Sequence, residues 1–234
     1  MFHVKHDGAA MAPAAAHAVF GRRIETAARY VEILATTGVE RGLIGPRESD
    51  RLWDRHVLNS AVVEELIPPG ARVADIGSGA GLPGIPVAIA RPDIRVALIE
   101  PLLRRATFLG EVVEALDLSG VTVVRGRAED PDIRGRIGEC DAVISRAVAA
   151  LDKVARWSAP LIRPGGQMLA MKGDRAEAEL EEHRDALTAL GLTGARVVKC
   201  GAENTDPPTT VVVAGRVDSG TQRSAGGRGR GRNR

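Results

Sequence analysis

The sequence predicts an α/β fold with a seven-stranded, mostly parallel sheet covered by helices and a helical extension in front of it. Three observations point there. Short apolar runs alternate with stretches of helical spacing from Val73 onward. The first run opens into a glycine-rich turn and then a helix. The last two runs follow one another with no helix between them, which suggests an antiparallel edge on a parallel sheet.

Residues 1–17 are expected to be flexible. From about Ala18 to Thr37, Val19, Ile24, Ala27, Ala28, Val31, Leu34 and Ala35 recur at helical spacing. Gly38 to Pro46 reads as a loop. Arg47 to Leu66 reads as a second helical region with Ser49 as its N-cap. Pro68-Pro69-Gly70 stops it. These two regions form an extension over 18–69, ahead of a domain over 70–216.

Within that domain the first strand is Val73–Ile76 and the helix after it Gly84–Ala90. The second strand, Arg95–Ile99, ends on Glu100. A helix over Pro101–Leu116 sets Leu102, Leu103, Ala106, Leu109 and Val113 on one face. The third strand is Val121–Val124, followed by a loop from Arg125 to Pro131. The fourth is Ala142–Ile144, with a helix over Leu151–Leu161. Pro164-Gly165-Gly166 turns into the fifth, Gln167–Met171. Ala176–Leu190 is helical, and strands over Arg196–Cys200 and Thr209–Ala214 finish the sheet. This two-strand ending resembles the usual methyltransferase arrangement, which implies the sheet order 3-2-1-4-5-7-6, with ligands at the carboxyl ends of the strands where the order reverses.

Composition bounds the function. The chain is 44% hydrophobic but only 3% aromatic, so Ala, Val, Leu and Ile must build its core. No apolar run reaches the ~18 residues of a membrane span. A cytoplasmic chain is expected. The two cysteines, Cys140 and Cys200, are far apart and suit reduced core thiols. No Cys or His cluster has metal-ligand spacing, and no metal site is expected. Net charge is +2, but residues 217–234 carry five Arg against one Asp. The body is therefore −2, so any nucleic-acid contact needs a local patch or the Arg/Gly-rich tail, itself expected to be disordered.

The chemistry centres on RVADIGSGAGLPGIPVAIA, residues 72–90. Four glycines, Gly77, Gly79, Gly81 and Gly84, fall within eight residues. Glycine permits a tight turn and a close approach of ligand to backbone, and the following helix offers unpaired N–H groups. Read from Gly79, the glycines match a dinucleotide fingerprint, which alone is weak. Read from the strand, Asp75-x-Gly77-x-Gly79-x-Gly81 resembles the first motif of S-adenosylmethionine-dependent methyltransferases, in which an acid suits an ammonium and repels a phosphate. Glu100 stands where an acid accepts from ribose hydroxyls. Ala128-Glu129-Asp130 follows the third strand, at a natural place for adenine. Ser145-Arg146-Ala147 follows the fourth, at the mouth. At this level a dinucleotide-binding module and a methyltransferase for another substrate stay open, although SRAV occupies the place of the box that amino-group base methylation uses.

Taken together, Arg55-His56-xx-Asn59-Ser60, DIGSGAGLPGIPVAI, GRAED, SRAVA and Met171-Lys172-Gly173 occur in one order. Over residues 20–215 this resembles the bacterial small-subunit (16S) ribosomal RNA guanine-N7 methyltransferases, also called glucose-inhibited division protein B. The family usually has Asp where this chain has Asn59, and the arginine tail is outside its pattern. The resemblance implies a class I, Rossmann-like methyltransferase using S-adenosyl-L-methionine, held by Asp75, Gly77, Gly79, Leu82, Glu100, Ala128, Glu129 and Arg146. It implies 16S ribosomal RNA or the small ribosomal subunit as partner, and a monomer. Arg127, Arg146 and Lys172 are expected to position the RNA as basic groups at the mouth, with His56 nearby on the extension. N7 of guanine has a lone pair and no proton, so no general base is expected.

Overall fold

The computed structural model describes residues 11–217. The chain begins with α1, Ala14–Phe20, after Pro13. Gly21, at a φ of 48°, closes it, and a 3₁₀ turn over Gly21–Arg23 leads into α2, Ile24–Ile33. A wide π-type turn, Leu34–Gly38, extends α2. The stretch from Ala14 is thus helical rather than frayed, because Ala16 and Phe20 are buried against the core. Residues 1–10 and 218–234, including most of the expected tail, lie outside the described residues.

The second helical region is not one regular helix. It runs as a 3₁₀ turn over Pro46–Arg51, a π-type turn over Leu52–Leu58, α3 over Asn59–Ala61, and a 3₁₀ turn over Val62–Leu66. Gly45, not Ser49, precedes it. Proline at the first position fixes φ there without losing a donor. The Ser49 hydroxyl instead donates to the Pro46 carbonyl inside the turn.

The sheet then follows: β1, Arg72–Ile76; α4, Gly84–Ala90; β2, Arg95–Glu100; α5, Leu103–Ala115; β3, Val121–Arg125; α6, Pro131–Ile137; β4, Cys140–Arg146; α7, Leu151–Ser158; β5, Ile162–Lys172; α8, Ala176–Ala189; β6, Leu192–Cys200; β7, Thr209–Arg216. The order is β3-β2-β1-β4-β5-β7-β6, as expected. β7 runs antiparallel between β5 and β6, and the other pairings are parallel.

Two elements depart from expectation. α6 forms after the expected loop over Arg125–Pro131, in a stretch to which no element was assigned. Asp130 caps it through the Asp132 amide at 2.9 Å, and Pro131 opens it rather than breaking it. Leu102 and Leu103 are 46% and 59% exposed, because Ala106, Phe108, Leu109 and Val112 set the buried face of α5.

Side chains alternate across the sheet. Val73, Leu98, Leu169 and Val213 join Tyr30, Leu34 and Leu58 of the extension and Ile85, Phe108 and Leu109 of α4 and α5 in one core. Ala74, Ile76, Ile99 and Val143 meet α6, α7 and α8 on the other face. The extension is therefore half of one core layer. Among the described residues no helix is long and apolar enough to cross a membrane.

Candidate functional site

The glycine turn leaves β1 through residues that only glycine tolerates well. Gly77, Gly79 and Gly81 have φ of 69°, 58° and 104°. A Cβ on Gly77 would press on Val148 at 3.1 Å, and one on Gly81 would stand 2.4 Å from Ile85 and 2.9 Å from the Tyr30 hydroxyl. Above Gly79 the space is open: a Cβ there would meet nothing within 4 Å except the Gly77 carbonyl at 3.8 Å. The turn is thus packed from below and clear on its outer side, as a cradle for a ligand must be.

Asp75 sits beneath this cradle and does not line it. It is fully buried, and one carboxylate oxygen accepts from the Gly84 amide at 3.1 Å. The other makes no hydrogen bond. Burial pushes its pKa to about 7, with Glu100 adding to the effect, while the Ser78 hydroxyl and the Gly84 amide pull the other way. In this geometry Asp75 supports the turn rather than touching a ligand.

Tyr30 was not singled out from the sequence. It comes from α2, is fully buried, and donates to the Ala80 carbonyl at 2.9 Å. Burial holds its hydroxyl well above the usual tyrosine pKa, so it stays protonated and can donate. The only tyrosine in the chain, set in an apolar helical stripe, was the signal that could have revealed it.

Glu100 ends β2 as expected. Its two oxygens accept from the Gly79 amide at 3.0 Å and the Leu102 amide at 2.9 Å. The carboxylate is thereby aimed at the cradle, with lone pairs remaining for vicinal hydroxyls. Ala128 is buried after β3, and Leu82 is half-buried against the core. Arg127 is 73% exposed and lies 3.7 Å from Glu129, which is itself exposed. Gly77, Gly79, Leu82, Glu100 and the Ala128–Glu129 turn thus follow strand ends on the side where ligands bind. These residues fit S-adenosylmethionine: an open glycine cradle, a carboxylate held by amides, and an apolar side chain at the rim.

Arg146 and Lys172 are not free cations. The Arg146 guanidinium donates to the carbonyls of Arg55 and His56 at 2.8 and 3.1 Å and to the Ser60 hydroxyl at 2.8 Å, and lies 3.2 Å from His56 Nδ1. Burial lowers its pKa from a very high starting point, leaving it charged. Lys172, 11% exposed, is tied to Glu179 at 2.8 Å and to the Ala149 carbonyl at 2.9 Å. Both were expected to meet RNA; both make internal ties, Arg146 to residues 86–91 positions earlier and Lys172 to Glu179, seven residues on, and to Ala149. Asn59 likewise ties the extension to β7 through the Thr209 hydroxyl at 2.8 Å.

Beside the cradle lies a groove of about 920 Å³ between the extension, the ends of β4 and β5, and the loop before β7. Its walls include Arg55, His56, Asn59, Arg146, Lys172 and Asp206. Ala147, also on the wall, has a φ of 52°, a strained conformation for a residue with a Cβ. The next residue, Val148, rests against Gly77. One short segment therefore borders both cradle and groove. Arg127 does not line the groove, so the three basic residues expected to act together are not brought together.

The chain resembles known proteins along most of its length. The sequence model described as rRNA small subunit methyltransferase G matches residues 23–207. The ribosomal RNA small subunit methyltransferase G of Mycolicibacterium smegmatis is 60% identical, over 97% of this chain and 100% of the relative. That of Mycobacterium marinum is 62% identical, over 88% and 90%. Among solved structures, a predicted O-methyltransferase from Agrobacterium tumefaciens has a TM-score of 0.53 at 19% identity, over 69% of this chain and 81% of that one. Aeropyrum pernix fibrillarin, in complex with natively bound S-adenosyl-L-methionine, has a TM-score of 0.52 at 22% identity, over 68% and 74%. These distant likenesses share the fold. On the match over residues 23–207 and the two mycobacterial relatives, the chain belongs to the rRNA small subunit methyltransferase G family.

Proposed function

We propose that this chain transfers the methyl group of S-adenosyl-L-methionine to N7 of a guanine in small-subunit (16S) ribosomal RNA. The observation that carries the reading is one short wall bordering two sites: Arg146 and Ala147 line a polar groove of about 920 Å³, and the next residue, Val148, packs beside Gly77 of a glycine cradle suited to the methyl donor. The names of the mycobacterial relatives support the RNA.

The methyl donor supplies an electrophilic methyl on a sulfonium. The guanine N7 lone pair forms the new bond as the carbon–sulfur bond breaks, so the positive charge passes to the base and no proton moves. The chain's part is alignment. Glu100 and the turn after β3 fix the nucleoside end, and the glycine turn admits the ligand's backbone-facing side. The groove holds the base, while the exposed Arg55 and Arg127 are the cations best placed to meet phosphate. The chain acts in the cytoplasm as a monomer.

The test is methyl transfer from labelled S-adenosylmethionine to ribosomal RNA from cells lacking the protein. Label should enter small-subunit RNA as N7-methylguanosine, which reduction and aniline cleavage locate. Label only in large-subunit RNA, or none with tight NAD binding by calorimetry, would sink the reading.

A further inference from the structure

Arg146 presents four N–H groups on its two terminal nitrogens, and four acceptors surround them. Three are the Arg55 and His56 carbonyls and the Ser60 hydroxyl. The fourth is His56 Nδ1, 3.2 Å away. That nitrogen accepts only while it carries no proton. The other ring nitrogen, Nε2, lies 2.9 Å from Glu48 Oε2, which is an acceptor. The two contacts together fix one arrangement: a neutral ring with its proton on Nε2, donating to Glu48 and accepting from Arg146.

A second proton would set Nδ1–H against the guanidinium, donor against donor. The charged groups acting on the ring are Glu48 from the Pro46–Arg51 turn, Arg55 from its own turn, and Arg146 from β4. Burial and the two arginines hold the ring below the usual histidine pKa, and Glu48 pulls the other way. The ring is therefore neutral at neutral pH, as the contacts require.

We infer that His56 is a positioning residue for methyl transfer: as a neutral Nε2–H ring between Glu48 and Arg146 it holds the Arg146–Val148 wall in register with cradle and groove, and protonating it releases that wall. The geometry behind this is specific. Ala147 keeps a strained backbone conformation, which persists only where its surroundings hold it. Arg146, the residue before it, is held by the extension alone among the hydrogen bonds of its side chain. The inference rests on the proposed function for its catalytic consequence, but not for its structural content.

Two kinds of measurement test it. In the free protein, ¹⁵N shifts of the His56 ring should show Nδ1 as an acceptor and Nε2 protonated at pH 7.5, with a titration point below 6.5. A ring protonated on Nδ1 at that pH overturns the inference. The methylation pH profile is then compared among variants. His56→Asn places its carbonyl near the position of Nδ1 and cannot titrate, so its pH profile, scaled to its own maximum, should lose the part of the acid limb that His56 contributes. His56→Gln reaches toward Glu48 and leaves Arg146 without its fourth acceptor, lowering kcat on the order of tenfold with little change in KM. Glu48→Gln removes the charge that favours the imidazolium and should move the acid limb to lower pH. An acid limb identical in wild type, His56→Asn and Glu48→Gln overturns the inference. If a His56 variant fails to fold, the wild-type ring shifts and the Glu48→Gln profile still decide. A wild-type chain inactive on small-subunit RNA at every pH defeats the proposed function instead, and leaves the ring measurement to judge the tautomer.

Discussion

Asp75→Asn should flatten part of the stability–pH curve of this protein. Asp75 is fully buried, and one of its oxygens has no partner. Its pKa rises from 3.8 to about 7 on folding. Between those values the folded chain keeps the proton that the unfolded chain has lost, so stability falls as pH rises. Above about 7 both states are ionised and the loss is complete. At about 1.4 kcal/mol per unit, this shift amounts to about 4 kcal/mol in all, of which about 3 kcal/mol falls between pH 5 and 8. Asparagine keeps an acceptor for the Gly84 amide and carries no charge at any pH. Urea unfolding of wild type and variant should therefore show a stability gap that moves by about 3 kcal/mol toward the variant from pH 5 to 8, while every other titrating group cancels. In melting temperature that is roughly 5–10 °C for a chain of this size. A gap constant to about 0.5 kcal/mol across that range would refute the reasoning, because it would mean that Asp75 keeps one protonation state throughout.

Four other outcomes follow from the packing. Gly84→Ala would place its Cβ 2.4 Å from Leu98 and 2.7 Å from Asp75, and should cost about 1–3 kcal/mol in thermal melts. Gly110→Ala, in α5 with nothing within 4 Å, should instead gain about 0.5–1 kcal/mol. Tyr30→Phe strips the Ala80 carbonyl of its donor; denaturation should show a loss of about 1–2 kcal/mol, and calorimetry a weaker grip on S-adenosylmethionine. Burial pushes the Cys140 and Cys200 thiols up to about 11, so Ellman's reagent at pH 8 should react with neither until the chain unfolds; a fast native reaction would contradict their burial.

The sheet was legible because each strand announces itself locally. Val73–Ile76 and Arg95–Ile99 are short apolar runs between turn residues, and the paired strands at the end follow from the missing helix. The cradle was legible too, since positive φ at Gly77, Gly79 and Gly81 leaves a mark in residue type. What escaped were long-range partners. Nothing beside Arg146 in sequence reveals that Arg55, His56 and Ser60, some 86 to 91 residues earlier, take up its donors. Lys172 escaped for a nearer reason: it ends β5, and Glu179, seven residues on in α8, turns back to meet it. α6 was missed for a local reason: Pro131 reads as a breaker unless Asp130 is seen to be a cap. Leu102 and Leu103 misled because apolar character was taken for burial, whereas the phase of α5 is set by Phe108, Leu109 and Val112.

The tie between Asn59 and Thr209 has a consequence for synthesis. The two residues are 150 positions apart, and the ties of Arg146 to the extension span about 90. On the ribosome the extension emerges before its partners in β4 and β7, which follow about 90 and 150 residues later. At ordinary elongation rates the apolar faces of α1 and α2 wait roughly 10–30 s for them. During that interval Tyr30, Leu34 and Leu58 have no β7 to complete their core layer. A nascent chain of this kind has reason to meet a chaperone at its N-terminal helices, and the contacts that join its two ends carry the largest loop-closure cost in the fold.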